Sequence, residues 1–430
     1  MTQVATAAAE KPGGLFGHPP GLTVLFLTQT WAEFSYFGLL AMLVYYMTQQ
    51  LHLPQAQASI IFGVYGASAF FSPFFGGIIA DRWLGRTRSV IIGGTMMMLG
   101  HFAMAFEPLL FPALALVALG NGLFIPPLAV QVGGLYQDGD ARRDQAFSAY
   151  YMGINLGGFT APLLCGWLGE TYGWHWGFAT AGVGMLVGLI IYLGFRKTLP
   201  PEMPRVQSEK RERTPLTKAE RGAVLTLLGV MAVVVLFRVA YEQSGNTIAL
   251  WVRDRTDRSL GGWEIPATWF QSINPFLIIL LTPVLMSYWR KRREAGNEPN
   301  LFRRMALGCV LTGLASIVMI GAAFAYKAAG APVSAWWVIG YFVLLTLGEL
   351  LVIPIGLALF GTLSPVQIAA MMMGAWYIAK FLGSLSAGFI GTLWEAIPAE
   401  TFFAIGAGST LLAAVILFFM GGRQTGGAAR

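Results

Sequence analysis

Twelve apolar runs take up almost the whole chain, and each is long enough to cross a bilayer. They fall at residues 22–47, 59–80, 89–106, 109–135, 146–168, 176–195, 223–252, 268–289, 305–326, 336–363, 368–394 and 402–420. A spanning helix needs about 20 consecutive apolar residues, so a chain of 430 residues patterned this way has little left for a soluble domain. Charged residues make up 11% of it, against about 25% in an ordinary soluble domain. The pattern excludes a soluble enzyme, a disordered chain and a disulfide scaffold. It predicts an all-α polytopic membrane protein, and proline or glycine inside the runs is no obstacle, because membrane helices tolerate both.

The placement of basic residues sets the expected topology. With both ends cytoplasmic, 22 of the 28 Lys and Arg residues fall in inside loops and tails, and Arg253, Arg255, Arg258 and Lys327 fall outside. Positive charge gathers on the cytoplasmic side of membrane proteins. Twelve spans in the cell inner membrane, with cytoplasmic N and C termini, are therefore expected. The net charge of +7 becomes an orientation signal, and no nucleic-acid partner is expected. One charged, proline-containing break divides the runs into two sets of six. The expected organisation is a disordered tail over 1–21, a six-helix bundle over 22–196, a cytoplasmic linker over 197–219, a second six-helix bundle over 220–420 and a tail over 421–430. The first residues lack a charged start joined to an apolar core, so they read as a tail rather than a signal peptide. Cys165 and Cys309 lie inside apolar runs and are expected to be packed thiols.

Ser72-Pro73-Phe74-Phe75, late in span 2, is echoed by Thr282-Pro283-Val284-Leu285, late in span 8. Two parallel halves around a midplane site resemble the major facilitator architecture; a twelve-span channel is the structural alternative. The loop Gly76-Gly77-Ile78-Ile79-Ala80-Asp81-Arg82-Trp83-Leu84-Gly85-Arg86 resembles the loop motif of that superfamily. The resemblance implies that Asp81, Arg82 and Arg86 clamp neighbouring helix ends as a cytoplasmic gate.

Five further motifs stand in a telling order. They are Ala149-Tyr150-Tyr151-Met152-Gly153-Ile154-Asn155-Leu156-Gly157-Gly158, Tyr241-Glu242-Gln243-Ser244-Gly245-Asn246, Gln271-Ser272-Ile273-Asn274-Pro275, Gly348-Glu349-Leu350 and Met373-Gly374-Ala375-Trp376. They resemble spans 5, 7, 8, 10 and 11 of the proton-dependent oligopeptide transporter family, and the resemblance covers nearly the whole chain. It implies a monomeric secondary transporter in the lipid bilayer that moves di- or tripeptides, or peptide-like amines, by alternating access. The proton is the implied coupling ion, with no other cofactor. The alternative is a transporter or exporter of the same fold for another amine-bearing solute, without proton coupling. An enzyme is not expected, since no His-Glu-x-x-His, Gly-x-Ser-x-Gly or phosphate-binding Gly-x-x-x-x-Gly-Lys-Ser/Thr pattern is present.

The departures from the family fall in span 1. Members carry a Glu-x-x-Glu-Arg pattern there, whereas this chain reads Gln29-Thr30-Trp31-Ala32-Glu33, so both glutamates are lost and Glu33 stands where the arginine would. A second basic position of span 1 is Leu40, and the family lysine of span 4 corresponds to Ile125. Two helices common between the halves of bacterial members are missing, which accounts for the short chain.

Charge within a span is expensive, so it usually faces a cavity and a partner. Glu33, Arg238, Glu242, Glu349 and Lys380 qualify by position. Arg238 and Glu242 are spaced to pair on one helical face. Alternatively Arg238 pairs with Glu33 across the halves, a family-like gate of reversed polarity that leaves Glu242 free to take a proton. The resemblance implies that Glu349, Asn155 and Asn274 hold a substrate's amino end. Lys380 lies four residues after Trp376 and hence on the same face. It either holds an anionic substrate end in place of the missing cations or neutralises Glu349. Tyr36, Tyr150, Tyr151 and Trp376 are expected to line the pocket, offering apolar area with a polar tip.

Overall fold

The computed structural model describes residues 13–14, 17–137, 139–202, 215–297 and 299–425. Most of the expected N-terminal tail, the middle of the linker and the last five residues lie outside the described residues.

Twelve long helices follow one another among the described residues. They are α1 (Pro20–Tyr45), α2 (Gln55–Ile79), α3 (Arg86–Ala103), α4 (Leu110–Gly133), α5 (Arg142–Ala161), α6 (Trp174–Gly194), α7 (Lys218–Tyr241), α8 (Ile273–Glu294), α9 (Leu301–Ala329), α10 (Trp336–Leu363), α11 (Ala369–Gly391) and α12 (Ala399–Thr425). Local chemistry sets their starts. Pro19–Pro20 and Pro54 precede or open α1 and α2, where a missing N–H is harmless. The Thr217 hydroxyl and the Glu220 carboxylate form a reciprocal capping box at α7, and the Asn300 side chain accepts from the Arg303 N–H at 2.8 Å to start α9. Past Ala161, Pro162 cannot supply a ladder N–H. The chain widens there into a π turn, Pro162–Gly166, before a last helical segment, Trp167–Tyr172. Likewise α7 tightens through Glu242–Gly245 before Thr247–Arg255 continues it.

The packing repeats with a shift of six helices. In the first half α1 packs on α5 and α6, α2 on α4, and α3 on α4 and α6. In the second half α7 packs on α11 and α12, α8 on α10, and α9 on α10 and α12. The contacts between halves obey the same rule, since α2 meets α11 and α5 meets α8. Thus the weak echo between Pro73 and Pro283 corresponds to equivalent places, each proline lying inside its helix.

Eight of these helices are long and apolar enough to cross a membrane by length and composition. The other four are α1, α3, α5 and α11. Three of those carry expected site residues, whose polar groups dilute their apolar character, and α5 also opens on the charged run Arg142-Arg143-Asp144.

Two boundaries differ from expectation. Helix α12 runs on to Thr425, so the first part of the expected C-terminal tail is helical. Nor is the expected N-terminal tail loose up to residue 21. His18 is buried with Nδ1 2.8 Å from the Tyr136 hydroxyl, and α1 begins at Pro20. A polar side chain with a buried partner anchors the entry to α1, which composition alone does not reveal. Cys165 and Cys309 are free and buried, as their apolar surroundings predict.

Candidate functional site

Helix α1 brings Glu33 to the centre because it lies between α5 and α6 with almost no gap. A Cβ at Gly157 would sit 2.4 Å from the Thr30 carbonyl, so only glycine lets the two backbones approach this closely. In the same groove Gln29 Nε2 donates to Glu33 Oε1 at 2.6 Å, and Tyr150 Oη donates to Gln29 Oε1 at 2.6 Å. Glu33 is therefore engaged within its own half.

The cation of α7 is likewise engaged at home. Arg238 forms its ion pair with Glu242, one turn on, and its Nη2 donates to Ser384 Oγ at 3.1 Å. Ser384 Oγ donates in turn to Glu242 at 3.1 Å. Of the two pairings open to Arg238, this structure contains the one along α7. The pairing with Glu33 is not made in this conformation.

Helix α10 supplies Glu349. Its two oxygens accept from separate helices: Tyr241 Oη of α7 donates at 3.0 Å and Asn274 Nδ2 of α8 at 2.9 Å. The same Asn274 amide reaches Thr346 Oγ1 at 3.0 Å. Asn155, across the interface on α5, donates to the Tyr151 carbonyl at 3.0 Å rather than to Glu349. One turn further along α5, the Phe159 ring lies 5.4 Å from that of Phe276 on α8, which places Asn155 and Asn274 on facing helices.

Lys380 is different. Among the described residues its ammonium has no carboxylate within 4 Å; it lies 4.2 Å from the centre of the Phe70 ring. It does not neutralise Glu349 by contact. Trp376 corrects an expectation. It is 2% exposed, 5.4 Å from the Phe360 ring and pressed against Gly356. In this conformation it fills the core of the second half instead of lining a pocket, because the turn of α11 that points Lys380 at Phe70 leaves Trp376 facing α10. Tyr36 stacks on Tyr65 at 6.1 Å, and Tyr151 and Tyr377 are 45% and 43% exposed.

The two halves are latched at the end opposite the basic loops. Gln55 Nε2 donates to the Gly391 carbonyl at 2.9 Å, Ser59 Oγ to Asn246 Oδ1 at 3.0 Å, and Arg253 Nη1 to Thr48 Oγ1 at 2.9 Å. A Cβ at Gly63 would fall 2.5 Å from the Cα of Gly388, so α2 and α11 touch backbone to backbone there. Glu170 adds the strongest cluster. Its carboxylate accepts from the N–H groups of Ala267 and Thr268 at 2.9 and 2.8 Å and from Thr268 Oγ1 at 2.6 Å. An anion of one half thus caps the helical turn that leads the other half into α8.

At the basic end the expected clamp is not made. Asp81 and Arg82 are exposed, and among the described residues neither they nor Arg86 forms an ion pair. With the halves latched at the far end, no described helix end is ion-paired with them. Glu202 instead accepts from the Thr87 N–H at 3.0 Å, beside Gly85, whose φ of +78° lets the chain turn into α3.

The comparisons with known proteins decide the family. The family model for the Major Facilitator Superfamily matches residues 25–387. The peptide transporter YePEPT of Yersinia enterocolitica is 35% identical over 89% of this chain and 90% of its own. A di-/tripeptide transporter of Lactococcus lactis is 30% identical over 94% and 95%. A crystal structure of the peptide transporter POT in complex with sulfate superposes with a TM-score of 0.88 at 30% identity, covering 96% of both chains. This chain belongs to the POT family of the major facilitator superfamily.

As a POT family member it is a multi-pass membrane protein and a transporter rather than an enzyme. The six-helix repeat in its packing is the major facilitator fold. Tyr241, Gln29, Ser384, Phe70 and Glu170 escaped sequence reasoning as members of the polar network. Two had a usable signal: Tyr241 stands beside Glu242 inside the span 7 motif of the POT family, and Gln29 stands where the span 1 pattern has its first glutamate.

Glu170→Gln is expected to weaken this far-end latch, since an amide cannot accept from all three donors. A cysteine placed at the buried Ala58 of α2, which takes no part in the latch, is then expected to label about three- to tenfold faster from that side. Unchanged labelling would assign the closure to the α2–α11 contact alone.

Proposed function

We propose that this chain is a secondary transporter that moves di- or tripeptides, or peptide-like compounds, by alternating access with the proton as coupling ion. It lies in the inner membrane as a monomer with both termini cytoplasmic. The basic loops orient it, so the conformation described above is closed outward. The observation that carries the reading is Glu349, a carboxylate inside a span held between Tyr241 and Asn274. A substrate ammonium has three donors and no acceptor. The Glu349 carboxylate and the amide oxygens of Asn274 and Asn155 form a matching acceptor set. Tyr36 and Tyr151 add apolar area for varied side chains, and the names of the similar Yersinia and Lactococcus transporters point to the same substrate class.

Lys380 stands in for the cations missing from spans 1 and 4 and takes the anionic end of the substrate. Glu33, Arg238 and Glu242 form the coupling group. Protonation of Glu242 would release Arg238, and Glu33 is the acid on the opposite half that Arg238 can then reach. At the inner face, Asp81, Arg82 and Arg86 close the gate when the far end opens.

Reconstituted uptake of a small peptide panel, with and without an inward proton gradient, tests this. Accumulation that collapses with a protonophore is expected. Equilibration without accumulation, indifferent to the gradient, would replace proton coupling with facilitated transport of an amine-bearing solute.

A further inference from the structure

Phe70 lies on α2 in the first half, yet its ring meets both cations that the second half places in the spans. The Arg238 guanidinium lies 4.5 Å from the ring centre and the Lys380 ammonium 4.2 Å. The two cations are otherwise unlike. The Arg238 charge is paired with Glu242, and its Nη2 also donates to Ser384, so the ring is an addition to an existing pair. For Lys380, apart from a longer approach to the Tyr377 ring at 5.9 Å, Phe70 is the nearest partner of its charge. Three carboxylates share the region, those of Glu33, Glu242 and Glu349. Each is already occupied, by Gln29, by Arg238 with Ser384, and by Tyr241 with Asn274.

We propose that Phe70 is a specificity-determining residue: its ring holds the Lys380 ammonium in reserve, and a carboxylate on the substrate displaces the ring to claim it. The inference rests on the reading of Lys380 as the subsite for the anionic end and adds the residue that keeps that subsite open. The physical reason is a balance. An ammonium without counter-charge in a span is costly, and a flexible lysine stem would swing onto the nearest carboxylate and cancel it. The face of an aromatic ring attracts a cation strongly enough to restrain it but less strongly than an anion does. The restraint is therefore released by an anionic ligand and not by a neutral one. Because the ring comes from the other half, the same exchange frees a contact between halves when substrate arrives.

The test compares a dipeptide with its C-terminal amide, reading the ratio of their affinities in competition uptake. That ratio ignores any loss that strikes both ligands alike, so general damage to the fold does not move it. Phe70→Leu is expected to lower the acid-over-amide ratio about three- to tenfold. Phe70→Tyr, which keeps the ring face, retains it. In a Lys380→Gln background Phe70→Leu changes the ratio no further, which separates the effect from any acting through Arg238. Stepwise fluorination of the Phe70 ring weakens its negative face without altering its shape, and the ratio should fall with each fluorine even if the leucine variant misfolds. An unchanged ratio across the fluorinated series overturns the role of Phe70 while leaving Lys380 as the subsite. An unchanged ratio in Lys380→Gln itself overturns both.

Discussion

Arg238→Gln is expected to cost about 3–5 kcal/mol of stability, and the double variant Arg238→Gln/Glu242→Gln to recover most of it. The two side chains are 5% and 15% exposed, so the pair is largely withdrawn from water. Removing one member of a buried pair leaves the other as an uncompensated charge, which is the expensive outcome; removing both is far milder. Thermal unfolding in detergent measures the difference. Transport gives a complementary result, because the double variant should fold yet no longer couple. A charge exchange locates the partner. Swapping Arg238 with Glu242 should restore stability, while swapping Arg238 with Glu33 should not, since Glu33 is held by Gln29. Rescue by the second exchange would show that the pairing across the halves dominates the folded ensemble.

Glu349→Gln carries the other large effect. Affinity for amine-bearing substrates is expected to fall about 10- to 100-fold, the loss of a hydrogen bond to a charged group in a sheltered site. Stability should change little, because the glutamine carbonyl still accepts from Asn274 or Tyr241. The decisive comparison uses a dipeptide and its analogue lacking the amino group. The wild-type protein should prefer the amine, and Glu349→Gln should abolish the preference. If both ligands weaken equally, Glu349 supports the helices around it and does not touch the ammonium.

The helices were legible because bilayer physics leaves few options for runs of this length. The acids and bases of the site were legible for the opposite reason, as rare charges against an apolar background. The contacts between them were not. Arg238 had two sterically reasonable partners, and it is the ion pair with Glu242, bridged by Ser384 from α11, that distinguishes them in the structure. Phe70 is one of 30 phenylalanines, so nothing in the sequence marks it as the one beneath two cations. Glu170 and Glu202 carry no signal of their own in the sequence, because capping a neighbouring helical turn depends on tertiary position. Trp376 was expected in the pocket as an aromatic of the span 11 motif, and the sequence does not show that Gly356 and Phe360 of α10 leave room for its ring in the core of the second half.

The four helices that fall short of the apolar length and composition of a self-sufficient span, α1, α3, α5 and α11, also bear on how the protein is made. A segment carrying Glu33 or Lys380 enters lipid less readily than its neighbours, because each buried charge opposes insertion. Helix α11 emerges after α2 and α7, the helices it packs on, so its partners are already in place. Helix α1 has no such advantage. Its partners α5 and α6 are synthesised later, so its firm seating waits for more than a hundred further residues of chain. Biogenesis therefore depends on order, and a substitution on α5 or α6 that spoils the groove for α1 would be felt first as failed insertion of the N-terminal helix.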